Sequence, residues 1–538
     1  MPRRTASPSA SPKSRASDRK PSPAMPRAPR ADKGKPAAPS GNRSDNRYDS
    51  RPGKPPAGQR PERRDAMDAP RAPRPTRETG SRFPSALPWP RTDALFPPLD
   101  ADARQALECL PEALHKIWPL NAAHRRSLPE DVAALSRLLT TERRDLRRPY
   151  WSSPAFVSAY LYYFLPWNLL RLTRLLAALP LPDPRALAPE DGEALLLDAG
   201  SGPLSLPLAL WLARPQWREA PVRVLALDSA ARPPELGKAL FASWGACLGW
   251  KTWPVRTAQG PLESLARQAA PLLAGKGGAQ RCRPWLVTAA NVLNELRPGR
   301  KGGGGRQAWD EEPEDGEGAE VAPQGPLAER LDSLLDAFAP LLFRHNGAEP
   351  ENAPESGASP ALLFVEPGTR LGGNTIMRLR DLALEGGLAA LAPCPHNAAC
   401  PLLAGQGGRT WCHFTFDSRD APDWLLRLST EAGLAKSGLS LAPLLLGAAA
   451  EPEAVPVAAP GREKTLPARV LSAPFAVPGL AGRARYACTA EGLTLLEDAE
   501  ALASGDRLPV RLMPDAPRDA KSRARIIRSP RAHVPAKP

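Results

Sequence analysis

The chain has 538 residues, 42% of them hydrophobic, and a formal net charge of +15, long enough for two to four domains at about 100–200 residues each. Its most apolar stretch, AFVSAYLYYFLPWNLL, is broken by Pro166 and Asn168 and followed by Arg171, too short and interrupted to span a bilayer. The start, MPRRTASPSASPKSRASDRK, lacks the apolar run of a secretory signal. A reducing, cytosolic setting is therefore expected, in which disulfides are the weakest use for seven cysteines.

The charge is uneven. Residues 1–80 hold 20 Lys and Arg against 8 Asp and Glu, and residues 515–538 hold 7 against 2, leaving a near-neutral body. Residues 1–88 and 515–538 are rich in Pro, Ser, Ala and Arg. Such a composition cannot offset the ordering entropy, so both are expected to be disordered tails. Basic arms suit a polyanion.

Residues 89–190 read as a helical domain. LDADARQALECLPEALHKIW offers Asp100 as an N-cap, and PEDVAALSRLLTTERRDLRR is expected to begin at Pro129 and Glu130. SPAFVSAYLYYFLPWNLLRLTRLLAAL is expected to form two helices bent at Pro166. Its aromatics, Tyr160, Tyr162, Tyr163, Phe164 and Trp167, read as core. From 191 to 385 short apolar strands alternate with helices, which predicts an α/β, Rossmann-like domain with a parallel sheet. A Gly-rich then acidic stretch at about 299–325 reads as an insertion. Residues 386–450 hold a cysteine-bearing loop and the end of the sheet. Residues 451–514 alternate apolar runs with Gly and Pro turns, as a small β-rich unit would.

Within the α/β region, LLLDAGSGP sets Asp198 at a strand end, followed by Gly200, Ser201 and Gly202, and the next strand ends in Asp228. Glycines let a nucleotide-type cofactor approach the backbone, and an acid at the second strand can accept ribose hydroxyls. The candidate cofactor residues are Asp198, Gly200, Ser201, Gly202 and Asp228. No lysine of a P-loop follows. The order resembles the class I S-adenosylmethionine-dependent methyltransferases, whose first motif is acid-x-Gly-x-Gly-x-Gly. Leu204 stands at the third glycine position, where it is expected to crowd the cofactor's methionine end. AANVLNEL lacks the Asn-Pro-Pro-aromatic box of base N-methyltransferases and has no cysteine for a C5 mechanism. Asn291 and Glu295 can face a substrate there.

CPHNAACPLLAGQGGRTWC, 394–412, holds three of the seven cysteines, with His396 inside it and His413 beside it. The spacing lacks the close Cys pairs usual for zinc and the runs of ferredoxins. A zinc site with one histidine and an iron–sulfur site with a distant fourth thiol both remain open. Cys109, Cys247 and Cys282 lie in apolar settings typical of inert thiols; Cys488, in RYACTAEG, is the best-placed fourth.

EPGTRLGG at 366–373, APCPHNAACPL, WCHF, LLDAGSGP, ANVLNEL and ARVLSAPF…RYACTAEG together resemble the Rsm-type methyltransferase-like proteins of the small ribosomal subunit, over about 140–512. The resemblance implies a [4Fe–4S] cluster on Cys394, Cys400, Cys412 and Cys488 beside a class I methyltransferase fold that binds S-adenosylmethionine. It implies the small subunit and its 16S-type rRNA as partners, and a location in the bacterial cytoplasm, or in the mitochondrial matrix of a eukaryote. An rRNA-binding assembly factor is the first functional expectation and an active rRNA methyltransferase the alternative. A zinc-stabilised structural protein is the reading without the family. Neither a membrane nor DNA is expected as partner, and the protein is expected to be a monomer off the ribosome.

Overall fold

The computed structural model describes residues 92–140, 150–275, 281–293, 326–343, 358–407, 410–449 and 464–528. The tail 1–88, the insertion at about 299–325 and Glu295 lie outside these residues. A two-residue strand, β1 (Asp93–Ala94), precedes helices α1 (Ala101–Ile117), α2 (Ala122–Thr140), α3 (Pro154–Ala159) and α4 (Leu165–Ala178). Asp100 caps α1 as expected, its Oδ1 accepting from the Ala103 N–H at 2.7 Å. Helix α2 starts before the predicted Pro129, because Asn121 supplies a cap, accepting from the His124 N–H at 2.8 Å. Pro129 lies inside the helix.

Pro166, where a bend is expected, stands in the first turn of α4. The chain runs from α3 through a π-turn at Tyr160–Phe164 into α4. Proline cannot donate a hydrogen bond inside a helix. Just before it, the Leu165 N–H reaches back five residues to the Tyr160 carbonyl, and one wide turn absorbs the mismatch. Tyr162, Tyr163 and Trp167 are buried core, whereas Tyr160 and Phe164 are only half-buried. Among the described residues no helix is long and apolar enough to cross a membrane.

A short α5 (Pro184–Leu187) leads into the larger sheet. Its order is β4 (Val255–Gln259), β3 (Val222–Asp228), β2 (Glu193–Ala199), β5 (Cys282–Ala290), β6 (Ala361–Pro367), β9 (Gly438–Ala448) and β7 (Leu388–Ala392), with β8 (Phe414–Asp417) paired to β9. The pairs from β4 to β6 are parallel, and β9 runs antiparallel to β6, β7 and β8. The order reverses at β2, and one antiparallel strand is inserted near the far edge of a Rossmann-like α/β sheet. All seven residues of β2 are buried, as a central strand covered on both faces requires. One face carries α6 (Ser205–Ala213) and α7 (Arg232–Leu248), with α1 and α4 packed on them. The other carries α8 (Leu265–Leu273), α9 (Pro326–Phe343) and α10 (Arg370–Glu385), and α11 (Asp423–Glu431) precedes β9.

The smaller sheet runs β1, β13 (Asp506–Leu512), β10 (Lys464–Val470), β11 (Arg485–Thr489), β12 (Gly492–Leu496) and β14 (Arg525–Ile527). Two of its strands depart from the sequence expectation. Strand β1 comes from ahead of the helices, and β14 falls inside the segment 515–538 assigned to a tail. Composition hid β14: Ile526 and Ile527 are a β-branched pair among basic residues, and Ile527 is buried alongside β12.

Candidate functional site

Strands β2, β3 and β5 end together where the strand order reverses, the crevice in which such sheets bind ligands. Asp198 is 2% exposed. Its Oδ2 accepts from the Ser201 hydroxyl and its Oδ1 from the Thr288 hydroxyl of β5, each at 2.6 Å. Burial pushes its pKa up to about 6, opposed by those two hydroxyls. Asp198 and Ser201 thus tie the turn to the neighbouring strand. Asp228 closes it from the other side, Oδ2 accepting from the Gly202 N–H and Oδ1 from the Ala230 N–H, each at 2.9 Å.

The two glycines of the turn differ. At Gly202, φ +50°, nothing lies within 4 Å of where a Cβ would stand. At Gly200, φ +67°, a Cβ would fall 2.2 Å from the Val292 side chain. Val292, just past β5, therefore holds this position to glycine in addition to its positive φ. Leu204 has left-handed backbone, φ 61° and ψ 36°, at about 1–2 kcal/mol for an L residue. Its side chain is fully buried against α7, where a Cβ at Gly237 would meet Leu204 Cγ at 2.7 Å. The expected crowding of the cofactor is thus replaced by packing into the core. Asn291, also left-handed, follows β5 with its N–H on the Val365 carbonyl at 2.8 Å.

The second feature is built from thiols. Cys394, Cys400, Cys412 and Cys488 line one cavity. Three come from the loop between β7 and β8, and Cys488 from β11 of the smaller sheet. Helix α10 forms a wall. Its Gly373 allows the close approach, since a Cβ would meet the Trp411 ring at 2.5 Å and the Cys412 carbonyl at 2.6 Å. Arg380 on the same helix is 2% exposed. It donates from Nε to Cys394 Sγ at 3.2 Å and from Nη2 to the carbonyls of His396 and Ala398 at 3.0 and 2.8 Å. Arg469 of β10 donates to the Pro393 carbonyl at 2.9 Å.

Burial pushes the Cys394 and Cys400 thiols up and those of Cys412 and Cys488 well up. For Cys412 the charges of the other three cysteines add to burial, which marks the four as neighbours. His396 sits among them, Nε2 3.3 Å from Cys488 Sγ, and its buried Nδ1 has no hydrogen-bond partner among the described residues. Burial and then the charge of Arg380 hold its pKa down to about 4, partly offset by the Ala398 carbonyl. His413 instead stacks on Trp411, ring centroids 4.7 Å apart. Cys109 on α1, Cys247 on α7 and Cys282 at the start of β5 lie outside the cavity wall. No group of three or more His, Cys, Asp or Glu among the described residues is drawn together closely enough for a single metal ion.

Sequence reasoning did not single out Arg380 or Arg469. An arginine in RLRDLALEGG gives no sign that it folds against a cysteine fourteen residues on.

Residues 352–431 match the family model described as "Mitochondrial small ribosomal subunit Rsm22". Comparison with curated proteins returns no significant match. Among solved structures, a candidate sarcosine dimethylglycine methyltransferase from Galdieria sulphuraria aligns at 12% identity over 56% of this chain and 90% of its own, TM-score 0.21. A candidate class I S-adenosylmethionine-dependent methyltransferase from Listeria monocytogenes aligns at 9% identity over 66% and 90%, TM-score 0.24. The matched segment contains EPGTRLGG, α10 and the three loop cysteines, so the similarity to that family is carried by the stretch around the thiol loop.

Proposed function

We propose that this chain is a small-ribosomal-subunit assembly factor of methyltransferase-like fold, directed to rRNA. In this reading it binds S-adenosylmethionine in the β2–β3–β5 crevice and carries a [4Fe–4S] cluster on Cys394, Cys400, Cys412 and Cys488. The observation that carries it is the meeting of three thiols of the β7–β8 loop with Cys488 of the smaller sheet around one cavity. Thiolates are the soft ligands that iron–sulfur clusters take, and the cavity wall holds no carboxylate. When bound, the cluster would supply a soft-ligand cross-link between the two sheets. Arg380 holds the loop around it and faces its negative charge with a buried guanidinium.

At the crevice, the open side of Gly202 leaves room for a ligand, and Asp228 Oδ2, which accepts from the Gly202 N–H, keeps a lone pair for a ribose hydroxyl. Asp198 and Ser201 act through the turn. Retained methyl transfer to rRNA is the second reading, favoured by the burial of Leu204 away from the turn's open side.

Iron, sulfide and zinc analysis of anaerobically purified protein tests the first part. About four irons and four sulfides per chain are expected; stoichiometric zinc without sulfide would overturn it. Calorimetric titration with S-adenosylmethionine tests the second. Asp228→Ala should weaken binding by about 1.5–3 kcal/mol, the range for hydrogen bonds to a charged group. A wild type that does not bind removes the enzyme reading.

A further inference from the structure

On the helical side of the crevice a row of aromatic rings leads away from the turn. Arg232, the first residue of α7, lies four residues past Asp228. It donates to the Trp151 carbonyl at 3.3 Å and stands 5.1 Å from the Trp118 ring centre. Trp151 packs 4.8 Å from Tyr160, and Tyr150 lies 5.9 Å from Tyr160 with rings 18° from parallel. Tyr160 and Phe164, at the two ends of the π-turn, stack at 5.8 Å and 29°. Tyr150, Tyr160 and Phe164 keep part of their surface in water.

The same helix face continues through Asn168 to Arg171, four and seven residues beyond Phe164. Tyr160 to Arg171 spans about 16 Å of helix. Arg171 donates to Asn168, while its buried Nε has no partner among the described residues. Lys436 stands nearby, its ammonium 6.0 Å from the Tyr163 ring centre. Burial and then the charge of Arg171 lower the Lys436 pKa, and the groups that act on Arg171 besides burial are Tyr160 and Tyr163. Arg171 is half-buried and Lys436 exposed, no carboxylate among the described residues is bonded to either, and an anion seated beside them meets two positive charges. Rings at the water's edge that lead to paired cations combine the two elements of single-strand recognition, base stacking and phosphate contact.

We propose that the strip of Tyr150, Tyr160 and Phe164, ending at Arg171 and Lys436, binds a single-stranded RNA segment and leads it to the crevice beside Asp228. Bases stack on the rings, and a backbone phosphate sits between the two cations. This deepens, and rests on, the reading of the chain as an rRNA-directed protein.

The test is fluorescence anisotropy of the full chain with a short labelled oligouridylate over a salt series. Lys436→Glu changes an exposed residue, so the fold should hold. It should weaken binding at least about fivefold and flatten the slope of log affinity against log salt by about 0.7, one phosphate contact. Tyr160→Ala should weaken binding by roughly 5- to 150-fold, the loss of one stacked base, and Tyr160→Trp should restore it. Wild-type affinity and slope in both Lys436→Glu and Tyr160→Ala would overturn the assignment, as would a wild type that does not bind. Weaker binding to intact small subunits with unchanged oligonucleotide affinity would also overturn it, by making the partner a protein. None of these outcomes touches the iron and sulfide content, so failure here is distinguishable from failure of the cluster reading.

Discussion

Asp198 shows how a motif residue can be legible while its partners are not. Its place at the strand end followed from LLLDAGSGP, but only the neighbouring β5 reveals that Thr288 and Ser201 occupy both its oxygens. The carboxyl is buried and its folded pKa is raised from 3.8 to about 6. The fold therefore favours the protonated form. That contribution is fully present below the unfolded value and is lost as pH rises through the folded one. Two units correspond to about 2–3 kcal/mol. Asn at 198 cannot ionise, so the stability of Asp198→Asn relative to wild type should rise by about that much between pH 4 and pH 7 in urea melts. A constant difference over that range would show that the buried carboxyl does not titrate there. Leu204 teaches a related lesson: a leucine in a glycine place reads as an obstruction until its companion, Gly237 on α7, is seen to receive it.

At the scale of elements, the alternation of strands and helices was readable because β2 and β3 are short apolar runs with an acid at or next to their last residue. The turn between β2 and α6 was readable as glycine-rich, but not which glycine does what, since Val292 lies ninety-two residues beyond Gly200. Gly200→Ala combines left-handed strain with overpacking against Val292 and should lower stability by about 2–5 kcal/mol. Gly202→Ala meets open space and should lose only about 1–2 kcal/mol. Urea midpoints in the opposite order would contradict this division of labour. Strand β14 was illegible because three residues amid basic neighbours carry too little hydrophobic pattern to outweigh composition. Deleting 515–538 should lower the thermal midpoint by exposing the β12 edge and Leu495, whereas deleting 529–538 should leave it unchanged. Equal melting of the two truncations would show that β14 adds nothing to the sheet. Any test of the tails as RNA-binding arms must accordingly spare residues 515–528.

For the whole molecule, the central claim is that two sheets are joined through one thiol-lined cavity. The three loop cysteines stood out in the sequence because they crowd into nineteen residues. Cys488 stood out by elimination of the apolar thiols and by the family resemblance, not by spacing, since β11 reaches the loop by tertiary packing. Electron paramagnetic resonance of the anaerobically purified, dithionite-reduced chain and its seven single Cys→Ser variants tests the claim most directly. A cluster shared by both sheets predicts a reduced-cluster signal in wild type that persists in Cys109→Ser, Cys247→Ser and Cys282→Ser. The same signal should be lost or altered in Cys394→Ser, Cys400→Ser, Cys412→Ser and Cys488→Ser, because each removes a ligand. An unchanged signal in Cys488→Ser, or none in wild type, would contradict it.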